Sequence, residues 1–262
     1  MILCFVQHIL PGVVEFRQEN KMQLFEKIRN KWDRYREDQA IRRIFGPVEK
    51  ISVKRCGNDY GGFDVAVDPM ADAEGDRKRI VYSFGIGEDL SFSEAVDKAW
   101  DCEIYAFDPT PRAAEYVRRH PLSKKDSFHF FEWGIADQDG IGLFHLPKNE
   151  EYVSGSLHAH EDVKQESIEV PLRSLHSIAK ELGHQKLDLL KLDVEGSEFD
   201  IMEGILESGL EIRQICLEVH NRYFEDGSLR LKKTVDSLRS DGYHLVSLDP
   251  KDLQEATFVL RL

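Results

Sequence analysis

Residues 80–87 constrain the fold of this chain more than any other stretch. The first five are mostly apolar and include two β-branched side chains, which is typical of a buried strand. Gly85 and Gly87 then predict a tight turn, and Ser91 with Glu94 has the pattern of a capping box that starts a helix. This order of strand, glycine turn and helix opens a nucleotide-binding α/β unit, because a ligand can approach the glycine backbone and the N–H groups of the helix start.

The alternation of strand and helix recurs along the chain. Further buried strands are predicted at residues 103–107, 128–133, 187–193 and 214–219. Two last strands, 244–248 and 256–260, are joined by a short polar loop, which predicts an antiparallel hairpin. The sequence therefore predicts an α/β fold with a doubly wound, Rossmann-like, mostly parallel sheet of seven strands that ends in a C-terminal antiparallel hairpin.

We place this domain at residues 80–262 and interpret residues 1–79 as an N-terminal extension. Within the extension, 21–43 has apolar residues at helical spacing among charges of both signs, which is typical of an amphipathic helix. Residues 49–55 and 63–67 alternate as the strands of a β-hairpin do. Farther along, the polar segment 147–165 has no periodicity, and we expect a segment of that length to be functional or disordered.

Composition excludes several classes of protein. The formal net charge of −13 disfavours duplex nucleic acid as the main partner, because phosphate binding requires concentrated Lys and Arg. No apolar run approaches the roughly 20 residues that cross a bilayer, so no membrane partner is expected. Cys4, Cys56, Cys102 and Cys216 lack paired or metal-ligand spacing, which predicts reduced cysteines and a cytoplasmic protein.

Polar side chains follow the predicted strands at the edge where ligands collect in such sheets. Asp108 ends the second strand, from where a carboxylate reaches the ribose hydroxyls of either NAD or S-adenosylmethionine. The turn after Gly87 lacks the third glycine of the dinucleotide fingerprint, and Glu88 with Asp89 would repel a pyrophosphate. A donor with a zwitterionic methionine end tolerates these carboxylates better, so an NAD-dependent oxidoreductase is the less favoured alternative.

Several motifs resemble one family. The segments 81–86, 106–109 and above all 191–198, Lys-Leu-Asp-Val-Glu-Gly-Ser-Glu, resemble the methyltransferase-like family related to FkbM-type, class I, S-adenosylmethionine-dependent methyltransferases. The resemblance extends over residues 54–262, and a seven-stranded sheet whose last strand is inserted antiparallel is the layout of class I methyltransferases. The lead-in segment 60–63 departs from the family, which more usually has an acidic residue before the two glycines where this chain has Tyr60.

The resemblance implies a donor site for S-adenosylmethionine. Gly85 and Gly87 would lie under the methionine end, Asp108 would bind the ribose, and residues 135–137 would lie beside the adenine. The predicted cofactor-binding residues are Phe84, Gly85, Ile86, Gly87, Asp108, Pro109, Ile135, Ala136, Asp137 and Asp193.

Methyl transfer requires positioning of the acceptor and removal of its proton. His220 is the candidate base, because imidazole titrates near neutral pH. Asp193 and Glu195 could hold the donor, orient the acceptor or bind a metal ion. A magnesium site that uses Asp193, Glu218 and Asn221 is an alternative that we do not favour, and no metal ligand is assigned.

We therefore predict an S-adenosylmethionine-dependent O-methyltransferase that acts on a small polar or sugar-like acceptor. The acceptor class rests on analogy with FkbM-type enzymes alone. The remaining alternative is a non-catalytic binding protein that retains the fold and uses the helix 21–43 to bind a partner.

Overall fold

The computed structural model describes residues 11–71, 77–148, 155–158 and 163–261, with the backbone alone for 11–25, 71, 164 and 165. Its α-helices are α1 (Pro11–Phe45), α2 (Val67–Ala71), α3 (Ser91–Ala99), α4 (Pro111–Arg119), α5 (Leu175–Leu182), α6 (Glu198–Leu206) and α7 (Gly227–Ser240). Its strands are β1 (Val53–Cys56), β2 (Phe63–Ala66), β3 (Arg79–Phe84), β4 (Cys102–Phe107), β5 (Phe128–Phe131), β6 (Gly134–Ile135), β7 (Gly140–Pro147), β8 (Val163–Arg173), β9 (Lys186–Leu187), β10 (Leu189–Leu192), β11 (Glu211–Ile212), β12 (Gln214–Glu218), β13 (Tyr243–Leu248) and β14 (Glu255–Leu260).

The predicted seven-stranded sheet is confirmed. Its strand order is β13-β14-β12-β10-β3-β4-β5. Neighbouring strands from β12 to β5 pair in parallel, whereas β14 pairs antiparallel with both β12 and β13. The central strands are buried on both faces, as their mostly apolar sequences predict: Val81 to Phe84 and Leu189 to Leu192 are all at most 4% exposed.

The helix starts differ in how their backbone N–H groups are satisfied. Thr110 caps α4, since its hydroxyl accepts a hydrogen bond from Ala113 N at 3.3 Å. The predicted capping box of α3 is wrong, because Ser91 is the first helical residue and its side chain makes no cap. Asp89 performs this role instead and accepts a hydrogen bond from Ser91 N at 2.7 Å.

The hairpin formed by β1 and β2 belongs to the same compact unit as the large sheet, residues 44–262. Gln214 and Thr257 fasten it there: the Gln214 amide bonds both backbone groups of Ala66, and the Thr257 hydroxyl donates to Asp64 O at 2.6 Å. The division of the chain at residue 79 stays a prediction.

The first unit, residues 1–43, contains most of α1, which is longer than the predicted helix at 21–43. Along α1 the side chains of Ile28, Trp32 and Tyr35 are exposed. No helix among the described residues combines the length and apolar character that a bilayer crossing requires. Cys56, Cys102 and Cys216 are buried and reduced, and Cys4 lies outside the described residues.

A second, three-stranded sheet of order β6-β8-β7 was not predicted from the sequence. The predicted polar segment 147–165 runs from the last residue of β7 to the first residues of β8, and about half of it lies outside the described residues. Residues 155–158 are described, and Ser156 forms a β-bridge with His145. This sheet therefore brings the segment 155–158 toward the end of β3 and β10, where the candidate site lies.

Candidate active site

The glycine turn after β3 requires glycine at its first position. Gly85 has a φ of 78°, in the left-handed region that other residues avoid. A Cβ atom on Gly85 would lie 1.7 Å from the backbone oxygen of Asp193, at the end of β10. The turn thus lets the ends of two central strands touch, and the space above them is open to a ligand.

Asp108 holds this turn in shape. Its Oδ2 accepts hydrogen bonds from Ile86 N at 3.0 Å and Gly87 N at 2.9 Å, and its Oδ1 accepts from Thr110 N at 2.9 Å and Thr110 Oγ1 at 2.6 Å. The sequence correctly places Asp108 at the strand end, but both of its oxygens already serve the protein. A contact between Asp108 and a ribose stays a prediction, and it would have to share these lone pairs.

A pocket opens over the turn. Eight of the ten predicted cofactor residues line it: Phe84, Gly85, Ile86, Gly87, Asp108, Pro109, Ile135 and Asp193. Glu195, predicted as catalytic, lines it as well. The structure thus gathers at one pocket the residues that the motifs had placed at separate strand ends.

Ala136 and Asp137 are the two predicted cofactor residues that do not line the pocket. Ala136 N donates to Arg173 O at 3.0 Å and so continues the pairing of β6 with β8. The carboxylate of Asp137 lies against Gly204 of α6, 2.6 Å from where a Cβ atom would be. The pocket lining ends at Ile135, and the place of Ala136 and Asp137 beside the adenine stays a prediction.

Aromatic rings form one end of the pocket, and the sequence analysis did not single them out. Trp133 and Phe107 line the pocket and stack with a centroid distance of 6.3 Å. Phe131 packs against both rings: it is stacked on Phe107 at 5.4 Å and tilted against Trp133 at 4.7 Å. Arg173 lies over the Trp133 ring at 5.3 Å. A flat apolar wall of this kind suits a planar heterocycle.

The opposite end leads to a buried ionic cluster at the ends of β10 and β12. His220 is only 1% exposed and is surrounded by carboxylates. Its Nδ1 lies 3.3 Å from Glu198 Oε1, and its Nε2 lies 3.3 Å from Glu195 Oε2 and 3.6 Å from Glu218 Oε1. Glu198 also accepts hydrogen bonds from His220 N at 2.6 Å and from Gly196 N at 2.8 Å, which fixes this turn.

These contacts alter the predicted role of His220. Burial alone would lower the pKa of His220, but the carboxylates of Glu198, Glu195 and Glu218 raise it to about 9. At neutral pH the imidazole is then a cation without a lone pair that could accept a proton. His220 also does not line the pocket. A role of His220 as the general base stays a prediction, which its raised pKa and its position outside the pocket lining disfavour.

Lys191 is the second buried cation of the cluster, and it was not among the predicted site residues. Its Nζ donates to Gly85 O at 2.8 Å and lies 3.1 Å from Asp193 Oδ2. Burial alone would raise the pKa of Asp193, but Lys191 and His220 lower it below its ordinary value. Burial and the charge of Asp193 raise the pKa of Glu218 to about 8.

Glu195 occupies a strained position between the pocket and the cluster. Its φ of 50° lies in the left-handed region that non-glycine residues rarely adopt, and such strain concentrates at functional sites. Neighbouring hydroxyls hold it there: Ser156 Oγ donates to Glu195 O at 2.6 Å, and Tyr223 OH donates to Glu195 Oε2 at 2.8 Å. The carboxylate is therefore fixed and still reaches the pocket.

Asp193, Glu195 and His220 could also hold a metal ion, because one ligand atom from each lies within 4.8 Å of the others. This set differs from the magnesium alternative considered from the sequence, which used Asp193, Glu218 and Asn221. A histidine ligand suits transition metals better than magnesium, which prefers oxygen. The ammonium group of Lys191 already balances the negative charge of Asp193, so we assign no metal ion to these three residues.

Comparison with known proteins identifies the family. A model of the FkbM methyltransferase domain matches residues 78–245, more than half of the chain. The chain belongs to the FkbM methyltransferase family. The match includes the glycine turn, Asp108, the aromatic wall and the ionic cluster, and it leaves out the β1–β2 hairpin and β14.

The methyltransferase is 30% identical over 166 residues to the 2-O-methyltransferase NoeI of Sinorhizobium fredii (strain NBRC 101917 / NGR234), a match that covers 58% of the chain and 67% of NoeI. It is 31% identical over 142 residues to the probable methyltransferase-like protein 24 of Rattus norvegicus. This second match covers 53% of the chain and 32% of the rat protein, so the chain spans about a third of that relative.

Solved structures are similar to this methyltransferase in overall fold only. The fibrillarin/Nop5p complex matches with a TM-score of 0.40 and 12% identity over 72% of this chain and 78% of that chain. M. jannaschii TYW2 in complex with AdoMet matches with a TM-score of 0.33 and 11% identity over 82% of this chain and 90% of that chain.

Proposed function

We propose that this methyltransferase uses S-adenosylmethionine as the donor and transfers its methyl group to a hydroxyl oxygen of a small polar or sugar-like acceptor. The observation that carries the proposal is the continuity of the pocket, which runs from Trp133 and Ile135 across the glycine turn to the carboxylates of Asp193 and Glu195. An apolar wall for an adenine and carboxylates for a cation match the two ends of this donor. The relative named as a 2-O-methyltransferase supports an oxygen acceptor.

When bound, S-adenosylmethionine supplies an activated methyl group on a sulfonium. The protein then has to orient the acceptor, exclude water and receive one proton. Glu195 is the proposed proton acceptor, because its carboxylate lines the pocket and is fixed by Tyr223. Asp193 is proposed to stay ionised beside the donor, since Lys191 and His220 lower its pKa.

Two sequence features disfavour NAD: the carboxylates of Glu88 and Asp89, and the missing third glycine. The carboxylates disfavour NAD less in the structure than in the sequence. Glu88, expected to repel a pyrophosphate, is paired with Arg112 at 2.8 Å, so its charge is partly compensated. Asp89 is engaged by Ser91 N and by Asn58 Nδ2. The missing third glycine still disfavours a dinucleotide.

Calorimetric titration with S-adenosylmethionine, S-adenosylhomocysteine and NAD, with and without EDTA, tests the donor. We expect the first two to bind and NAD not to bind. Trp133→Ala should weaken binding of both by about two- to tenfold, the range for a lost aromatic contact. Trp32→Ala, at an exposed position on α1, is the matched control and should leave affinity unchanged. A folded wild-type protein that binds NAD alone would contradict the proposal.

A further inference from the structure

A buried serine joins the second sheet to the strained turn at Glu195. Ser156 is only 1% exposed, although it lies in a polar segment without periodicity. Its backbone pairs with β7, since His145 N donates to Ser156 O at 2.8 Å and Ser156 N donates to His145 O at 3.0 Å. Its hydroxyl accepts from His158 N at 3.0 Å and donates to Glu195 O at 2.6 Å. One residue thus connects β7 with the turn that follows β10.

The two chain neighbours of Ser156 form part of the pocket wall. Gly155 and Leu157, directly before and after this serine, both line the pocket. A Cβ atom on Gly155 would lie 2.4 Å from Phe144 Cε1 and 2.5 Å from the backbone oxygen of His145, so the segment packs closely on β7. This part of the wall is therefore held by β7 on one side and, through the Ser156 hydroxyl, by Glu195 on the other.

His158 fastens the same segment a second time. Its Nε2 lies 3.0 Å from Asp200 Oδ2 on α6, and its ring packs edge-on against Phe224 at 5.2 Å. A Cβ atom on Gly196 would lie 3.1 Å from the Phe224 ring and 3.4 Å from the His158 ring. Gly196 has a φ of 101° and follows Glu195 at 50°, so two successive left-handed residues lie against the segment. A strained backbone of this kind persists only where its surroundings hold it.

We propose that Ser156 is a positioning residue that couples donor binding to the placement of Glu195. This inference rests on the proposed function, in which Glu195 accepts the proton. The Ser156 hydroxyl holds the wall at Gly155 and Leu157 and the main chain of Glu195 as one unit. A donor that contacts this wall stabilises the arrangement in which Glu195 reaches the pocket, and by linkage the same arrangement raises the affinity for the donor. The proton acceptor is therefore ordered when the donor is present.

Ser208, beyond the C-terminal end of α6, offers a matched control. It is buried as Ser156 is, and its hydroxyl donates to a backbone oxygen, Ile205 O, at 2.6 Å. It also accepts from the N–H two residues later, Leu210 N, at 3.3 Å. Ser208 does not line the pocket over the glycine turn. Alanine at either position therefore removes the same two kinds of hydrogen bond, but only Ser156 joins the pocket wall to Glu195.

Calorimetric titration of the full chain with S-adenosylhomocysteine compares the two variants. Ser156→Ala should weaken binding by about three- to tenfold, the equivalent of one lost hydrogen bond, because the binding-competent arrangement is then less populated. Ser208→Ala should bind as wild type does, although urea denaturation should show a similar loss of stability in both variants. Equal affinities of the two variants would show that the Ser156 hydroxyl stabilises the fold alone, and would overturn the inference.

A spectroscopic measurement tests the hold on Glu195 without the donor. The Gly196 amide shares a planar peptide group with the Glu195 carbonyl, so its ¹⁵N signal reports the hydrogen bond from Ser156. In a chain labelled with ¹⁵N-glycine, Ser156→Ala should shift the Gly196 signal and Ser208→Ala should not. An unmoved Gly196 signal in Ser156→Ala would overturn the inference. Failure of wild type to bind the donor would instead contradict the proposed function, while the Gly196 signal would still test the hold of Ser156 on Glu195.

Discussion

Single glycines decide whether the strand ends can meet at this site. Gly85 and Gly209 both have a φ of 78°, but their surroundings differ. A Cβ atom on Gly85 would overlap Asp193 O, whereas one on Gly209 would meet nothing within 4 Å. Alanine substitutions at these two positions therefore separate two losses of stability: the loss from a left-handed backbone conformation, and the loss from keeping β3 and β10 apart.

Gly209→Ala should therefore lower the free energy of unfolding by about 1–2 kcal/mol, the cost of a left-handed backbone at a residue with a Cβ atom. Gly85→Ala should cost more than Gly209→Ala and should also abolish donor binding, because β3 and β10 must separate. Urea denaturation and calorimetric titration of both variants check this. Equal losses of stability would show that the contact at Gly85 does not constrain the turn.

His184 gives a residue-level prediction for pH. Tyr82 OH lies 2.6 Å from His184 Nδ1, and burial raises the pKa of Tyr82, so the phenol donates and the imidazole accepts. Burial, with the nearby His129, lowers the pKa of His184 below its ordinary value. The unfolded chain then binds a proton at a higher pH than the native state, so stability is lost as the pH falls through the ordinary histidine range.

We expect the free energy of unfolding of wild type to fall more steeply than that of His184→Gln between about pH 7.5 and 5.5, around the unperturbed histidine pKa. The difference should be at most about 1 kcal/mol, because His184 is only partly buried and solvent screens its charge. Urea denaturation at both pH values measures it. If the free energy of unfolding fell equally with pH in wild type and in His184→Gln, His184 would have the same pKa in the native and unfolded states.

At the scale of elements, the β1–β2 hairpin depends on a few buried polar side chains. Gln214 is fully buried in β12, and its carboxamide bonds both N and O of Ala66, at 3.0 and 3.3 Å. This side chain replaces a strand partner that Ala66 lacks at that point. The same hairpin carries Tyr60, which lines the pocket.

Gln214→Leu should lower the free energy of unfolding by about 1–3 kcal/mol, because it leaves two buried backbone groups of Ala66 without partners. Gln254→Leu, at a partly exposed position, is the control and should change stability by less than about 0.5 kcal/mol. Chemical denaturation compares them. An equal, small effect of both would indicate that Ala66 finds other partners.

The sequence predicted the large sheet because its signals are local. Apolar runs, glycine turns and capping residues act within one element, as at β3 and α4. The site was predicted in part. Motifs placed Asp108 and Asp193 correctly at strand ends, but the spacing of residues along the sequence cannot show which hydrogen-bond donors a carboxylate finds in the fold. Lys191, Trp133 and the pairing of β7 with β8 depend on neighbours distant in sequence. A lysine within an otherwise apolar strand was the signal that could have indicated Lys191.

For the whole molecule, the division into two compact units predicts that the second unit binds the donor without the first. The unit that starts at Ile44 contains the sheet, the hairpin and every residue of the candidate site. Residues 44–262 alone should therefore unfold cooperatively and bind S-adenosylmethionine as the full chain does, as calorimetry would measure. Loss of donor binding in a folded shortened chain would implicate α1 in the site. If α1 with its exposed Trp32 binds a partner, only the full chain should retain that partner.

The antiparallel strand β14 has a consequence for how the protein is made. Since β14 lies between β12 and β13, β12 lacks a neighbour on that side until residues 255–260 have left the ribosome. The exposed edge of β12 is apolar and open to pairing with other chains. The nascent domain should therefore be prone to pairing with other chains until residues 255–260 are available to cover β12.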